Sequence, residues 1–230
     1  MRSLFDNAKR QESRVMLESE ITDTILAEVG FEHINKGRIL LIACGALARE
    51  IIHLIEINHW SHIDLQCLPA ILHNDPKKII PAVKKAVQKY KPEYSKIFVV
   101  YADCGTGGQL QKLCQQLGIS MIEGPHCYSF FEGNKAFAAR EEITCFYLTD
   151  FLVRQFEAFF WKPMGLDRHE QLRDIYFRNY TTLVYQAQTK DKSLEQKAKA
   201  YADQMGLQYE YRYTGYGDLE FALTKVASFT

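Results

Sequence analysis

Arg38-Ile39-Leu40-Leu41-Ile42-Ala43-Cys44-Gly45 (RILLIACG) is an unbroken apolar run that stops on a thiol and a glycine. With aliphatic residues at consecutive rather than alternate positions, it predicts a strand buried on both faces, as in a parallel sheet. The text after it, ALAREIIHLIEINH, spaces its apolar residues three and four apart and predicts a helix. HIDLQCLPA (62–70) predicts a second strand, and HNDPKKIIPAVKKAVQKYK opens with the turn chemistry of Asn74-Asp75-Pro76 before becoming an amphipathic helix. KIFVVYADCG (96–105) predicts a third strand, GQLQKLCQQLG a helix closed by Gly118, and ISMIEG (119–124) a fourth strand. This alternation predicts an α/β fold: a mostly parallel sheet with right-handed crossovers and helices on both faces.

The second half is less regular. CFYLTDFLVRQFEAFFW (145–161) predicts a long aromatic helix, or a short strand leading into one, and HEQLRDIYFRNY a further helix. TTLVYQA (181–187) and LQYEYRYT (207–214) predict strands flanking the helix KSLEQKAKAYADQMG, and GDLEFALTKVA follows. This βαβ-like unit either extends the first sheet or builds a small lobe, dividing the chain into 37–140 and 141–230. Residues 1–36 predict a polar helical extension, with Leu17, Ile21, Ile25, Leu26 and Val29 on one stripe, packed on the main body.

The charge balance narrows the classes of function. Lys plus Arg and Asp plus Glu both total 28 in 230 residues, so the net field that a duplex-binding protein uses is absent and nucleic acid is not expected. No apolar run reaches the length of a bilayer span, and the start of the chain has no signal-type apolar stretch. The expectation is a cytoplasmic protein whose six cysteines are thiols, ligands or core residues rather than disulfides.

Loops at the carboxyl ends of parallel strands are where α/β proteins bind ligands. Cys44 ends the first predicted strand, His73 follows the second in ILHNDP, Cys104 ends the third, and Cys127 follows the fourth in GPHCY. Cys44, His73, Cys104 and Cys127 are therefore the expected metal ligands, for zinc or an iron–sulfur cluster, with His126 a competing nitrogen. Cys67, Cys114 and Cys145 fit the alternative role of small buried hydrophobes. Asp75, Asp103 and Glu123 are loop carboxylates that fit either a supporting role at the site or turn chemistry, and His169 fits a helix cap.

Gly105-Thr106-Gly107-Gly108 opens a helix directly after Cys104. Free amides there favour an anion or a thiolate, so these four residues are expected to bind a cofactor or small-molecule ligand. The loop lacks the Lys-Ser/Thr of a nucleotide phosphate loop, and Leu110 breaks the dinucleotide fingerprint. A helix N-terminus also lowers a neighbouring thiol's pKa, which makes Cys104 the expected nucleophile, with His126 or His73 as its base. Arg154, among Phe151, Phe156, Phe159, Phe160 and Trp161, is an expected anion contact beside an apolar ligand.

Taken together, ACGALAREI, LH followed by DP, YADCGTGG, GPHCY, FYLTDFLVRQFE and GLDRHEQLRDIYFRNY resemble the domain-of-unknown-function family 1638 of bacteria and archaea, from about Ile39 onward. Cys44, His73, Cys104, Gly105, Gly107, Gly108, His126 and Cys127 match its motif pieces. The family's genes often stand beside those of corrinoid-dependent methyltransferases, so the resemblance implies a role in one-carbon metabolism with a corrinoid protein or its methyltransferase as partner. Three functions follow: a metal- or cofactor-binding protein serving corrinoid methyl transfer, a metal-free cysteine-nucleophile enzyme, or a non-catalytic accessory module that docks through the aromatic segment 151–161.

Overall fold

A computed structural model of the chain describes residues 21–35 and 37–228; Leu17 and the rest of the first twenty residues of the expected extension lie outside them. The first five strands form one sheet in the order β1-β3-β2-β4-β5: β1 (Phe31–His33), β2 (Ile39–Cys44), β3 (Ile63–Leu68), β4 (Lys96–Val100) and β5 (Ser120–Met121). All pairs are parallel except β1 on β3. The RILLIACG run supplies β2, which pairs with β3 on one side and β4 on the other and is buried at every position. Its neighbours cover both edges and helices cover its faces, which is why its sequence shows no alternation. Phe31–His33, expected within the helical extension, instead forms a short antiparallel edge strand preceded by the helix α1 (Asp23–Glu28).

The helices α2 (Ala48–Ile57), α3 (Ile79–Tyr90) and α4 (Gln109–Leu117) connect these strands. From β2 the chain moves one way along the sheet to β3; from β3 it crosses back over β2 to β4 and continues to β5. Right-handed connections in opposite directions put α2 on one face and α3 and α4 on the other. The loops after β2 and β4 consequently part, leaving a crevice at the carboxyl ends of the two central strands.

The short helices α5 (Ser129–Glu132) and α6 (Asn134–Arg140) lead into a second sheet, β6 (Cys145–Thr149), β7 (Thr182–Ala187) and β8 (Gln208–Tyr213), all parallel and in sequence order. The 145–161 segment is therefore strand first. It continues as α7 (Asp150–Arg154) and then a π-helical turn, Phe156–Trp161. The helices α8 (Gln171–Phe177) and α9 (Lys192–Met205) follow, and α10 (Gly217–Ala227) returns to the first sheet, where Leu219, Leu223 and Val226 join its core.

Two buried carboxylates lie near the crevice, Asp150 bonded within the second sheet's residues and Glu50 on α2 beside the first sheet. Asp150 is buried and accepts from Tyr185 Oη at 2.8 Å, the Gln188 and Thr189 amides at 3.1 Å, and Thr189 Oγ1 at 2.6 Å. Glu50 of α2 is also buried, close enough to Arg154, Asp150 and Arg49 to feel their charges, and its Oε2 has no hydrogen-bond partner among the described residues. Burial raises its carboxyl pKa to about 7, against the lowering effects of its own backbone amide, Arg154 and Arg49.

Glu50→Gln should therefore flatten the pH dependence of stability between pH 4.5, the ordinary carboxyl value, and about 7. In the native chain the folded state holds this proton more tightly than the unfolded state. Stability is thus full below that window and falls by up to about 3 kcal/mol as pH rises through it. Urea melts across pH 4–8 measure the difference, and parallel curves for the two proteins would contradict it. Gly45 offers a second check, because a Cβ there would lie 2.1 Å from the Leu26 carbonyl oxygen. Gly45→Ala should cost about 2–3 kcal/mol in the same melts, whereas Gly107→Ala, with open space at its Cβ and φ +61°, should cost about 1–2 kcal/mol.

Candidate metal centre

Three of the four strand-end ligands meet. The donor atoms of His73, Cys104 and Cys127 lie within 4.8 Å of one another in the crevice. Cys104 Sγ is 3.2 Å from Cys127 Sγ, and Cys127 Sγ is 4.0 Å from His73 Nε2. Cys44 stands on the other side of the imidazole, its sulfur 3.6 Å from Nδ1, and it also accepts from the Ala46 amide at 3.4 Å. It caps the turn after β2 and backs the histidine instead of joining the three donors.

Each donor residue is placed by local chemistry. His73 lies in the 3₁₀ turn Ala70–Asn74 after β3, and its Nδ1 is 3.2 Å from the Ala70 carbonyl oxygen. An N–H at Nδ1 donates there, which leaves Nε2 to face the sulfurs. Cys104 has φ +48°, a left-handed conformation that costs a non-glycine residue about 1–2 kcal/mol. Two bonds hold it there: the Asp103 amide donates to Gly124 O at 2.9 Å, and the Cys104 amide donates to Pro125 O at 3.2 Å. These tie the β4 loop to the segment carrying Cys127. Strain of this kind, stabilised from outside the residue, concentrates at functional sites.

The glycine loop departs from its expected role. Asp103 Oδ1 accepts from the Gly108 amide at 2.6 Å and Thr106 Oγ1 at 2.9 Å, while Oδ2 accepts from the Gly107 amide at 3.1 Å. Those bonds, the Gly108 amide foremost, hold the Asp103 carboxyl below its ordinary pKa. The loop's anion is thus its own carboxylate, and its amides are not free to cradle a phosphate or form an oxyanion hole. Arg154 is likewise engaged elsewhere, its Nε 3.3 Å from Asp23 Oδ1, and it does not line the cleft.

Proton placement also differs from expectation. In the metal-free chain the Cys104 thiol keeps its proton: its hydrogen bond to Cys127, then burial, raise its pKa. The Cys127 thiol is pushed the other way, well below its ordinary pKa, by the hydrogen bond from Cys104 and by His73, which together outweigh burial. Burial lowers the His73 pKa, but the sulfurs of Cys44 and Cys127 more than reverse this, so the imidazole is raised overall. His126 is lowered by burial and stacks on Tyr128 at 4.9 Å. Tyr101, inside the predicted strand 96–105, stacks on His73 at 6.1 Å, and its buried hydroxyl has no hydrogen-bond partner among the described residues.

Above the sulfurs is a cleft of about 340 Å³. The first sheet's loops supply His73, Cys104, Gly105, His126 and Cys127; the second contributes Thr149, Phe151, Leu152 and Phe159. The π turn divides its aromatic rings, sending Phe156 and Trp161 into the second core while Phe159 packs on Phe151 at 5.7 Å. Phe151, Phe156 and Trp161 are buried, so the exposed docking face expected of 151–161 is not formed. Cys67 and Cys114 are buried as expected, Cys145 only partly. Asp75 pairs with Lys78 at 3.3 Å, and Asp75, Glu123 and His169 lie outside the cleft lining.

The family model described as "Protein of unknown function (DUF1638)" matches residues 67–223. The match begins at Cys67 rather than near Ile39, so it includes His73, Cys104 and Cys127 and leaves out Cys44. No curated protein and no solved structure matches the chain.

Replacing the loop's internal anion tests the geometry. Asp103→Ala should cost about 1 kcal/mol, the value of a lost helix cap. It should also loosen the loop, seen as faster amide hydrogen exchange at Gly107 and Gly108. Unchanged exchange there would show that Asp103 does not hold the turn.

Proposed function

The chain belongs to the DUF1638 family, and from the cluster in its crevice we propose that it is a metal protein. The site takes a soft divalent cation, zinc by its donor set, on His73 Nε2, Cys104 Sγ and Cys127 Sγ, with a fourth position open to the cleft. The observation that carries this reading is the convergence of three donor atoms within 4.8 Å from three separate loops. Two thiolates, one imidazole and an open corner are the ligand set of a catalytic rather than a structural zinc site. Tetrahedral zinc at ordinary bond lengths sets two sulfurs about 3.8 Å apart and sulfur from nitrogen about 3.5 Å. Two of the three separations, 3.2 Å and 4.0 Å, lie close to these values, and the third is no more than 4.8 Å, so binding draws the His73 and Cys104 atoms together. Two converging thiolates are too few for a four-cysteine cluster, which favours zinc over iron and sulfur.

When bound, the metal would act as a Lewis acid that lowers the pKa of a thiol or water in its open position. The chain's own residues do the rest. Ala70 and Cys44 fix the ring of His73. The Asp103 loop holds Cys104 in its strained conformation, and Leu47, Phe131, Phe151, Leu152 and Phe159 give the space beside the open position an apolar lining. A finer role in corrinoid-dependent methyl transfer, as enzyme or accessory factor beside a corrinoid protein, rests on the family resemblance; a thiolate activated on the proposed metal is one acceptor that such a transfer can use. The reading needs a reducing compartment such as the cytoplasm, because sulfurs this close would otherwise oxidise.

One observation favours a second reading, a metal-free thiol enzyme: the pairing of the Cys127 thiolate with His73. In that case Cys127, rather than Cys104, is the nucleophile.

Chain purified anaerobically should contain about one zinc per molecule by elemental analysis. His73→Ala, Cys104→Ser and Cys127→Ser should each abolish the metal while keeping the circular dichroism of the parent. Cys44→Ala should retain zinc with roughly tenfold weaker affinity, as expected for a group that only supports a ligand. A metal-free chain that also fails to take up added zinc, with Cys127 alkylated far faster than the other cysteines, would replace the first reading with the second.

A further inference from the structure

The cleft above the three donors has a chemical bias that the metal alone does not explain. Among the described residues no Asp, Glu, Lys or Arg side chain lines it, and Leu47, Phe131, Phe151, Leu152 and Phe159 give its wall an apolar side away from the two imidazoles, His73 and His126. Nearby sources of positive charge are already in use. Arg154 pairs with Asp23, and the Gly107 and Gly108 amides donate to Asp103. An anionic group on the body of a ligand would lose its water and meet no cationic side chain, and the charge of the proposed metal is already offset by the Cys104 and Cys127 thiolates, a cost that buried charges rarely bear. At about 340 Å³ the cleft is at the small end for ligand pockets and has room for about ten non-hydrogen atoms.

We infer that the cleft takes a small, uncharged organosulfur compound, a thiol with a hydrocarbon body, whose sulfur fills the open metal position while the body lies among these apolar side chains. This rests on the metal reading above and specifies its substrate class. The thiol R–SH binds as R–S⁻ on the metal, and its proton leaves to bulk water. The soft donor set of Cys104 and Cys127 favours sulfur at the fourth position, and the lining selects neutral hydrocarbon over carboxylate, sulfonate or phosphate.

Cobalt(II) loaded into the full chain provides the test, because thiolate-to-cobalt charge-transfer absorption and the visible bands respond to each ligand separately. Cobalt alone should give a thiolate band that Cys104→Ser and Cys127→Ser diminish. Adding ethanethiol, butanethiol or hexanethiol should strengthen the band, with affinity rising about fourfold for each methylene buried until the cleft is filled. The 3-mercaptopropanoate ion, similar in size to butanethiol, should bind at least about a hundredfold more weakly. Leu152→Lys, which places a cation in the wall, should reverse that order. Absence of any cobalt–thiolate band overturns both the metal reading and this inference. A normal band that does not respond to neutral thiols, or 3-mercaptopropanoate binding as tightly as butanethiol, overturns only the inference and leaves the metal reading in place.

Discussion

The site depends on how the chain leaves its two central strands. β2 and β4 lie side by side and parallel, but the connection after β2 runs toward β3 while the one after β4 runs toward β5. Because crossovers are right-handed, those connections occupy opposite faces and part above the strand ends. The crevice thus follows from strand order and chain chirality. His73 reaches it from the turn after β3, Cys104 from the loop after β4 and Cys127 from the segment after β5.

Topology brings the loops together, and hydrogen bonding makes their geometry specific. Cys104 occupies a backbone region that a cysteine adopts only under constraint. Asp103 provides much of that constraint, gathering the glycine amides with its carboxylate while its own amide reaches Gly124. His73 is held by its Nδ1 contacts with Ala70 and Cys44, so its other nitrogen faces the sulfurs. The glycines matter because three of them, at 105, 107 and 108, have positive φ, which allows the loop to wrap around a carboxylate.

The second sheet completes the site without supplying a ligand. Thr149, Phe151, Leu152 and Phe159 close the cleft from the opposite side. Their position is tied to α1 by the Arg154–Asp23 ion pair, and Asp150 braces α7 against the end of β7 and the residues after it. α10 returns to the first core, so the chain after β8 fastens the second sheet to the first. The donor set is therefore polar and first-sheet, whereas the space above it is apolar and shared.

The sequence by itself determined the α/β alternation, because strand burial and helix periodicity are local patterns: RILLIACG and TTLVYQA became strands at nearly the expected residues, and KIFVVYADCG over its first five, Lys96–Val100. It also placed His73, Cys104 and Cys127 at strand ends, since strand boundaries locate loops. It did not determine which side chains would face each other across those loops. Cys44 looked equivalent to the other thiols and instead backs the imidazole; Arg154 looked like an anion contact and pairs with Asp23 from α1. Tyr101 and Glu50 gave no local signal, because their polar groups become unusual only when packing from distant segments removes their water. Which cysteine holds the proton was likewise a tertiary decision, set by a hydrogen bond between sulfurs twenty-three residues apart. Periodicity is written along the chain, but pairing, desolvation and charge depend on distances that only the folded molecule brings within a few ångströms.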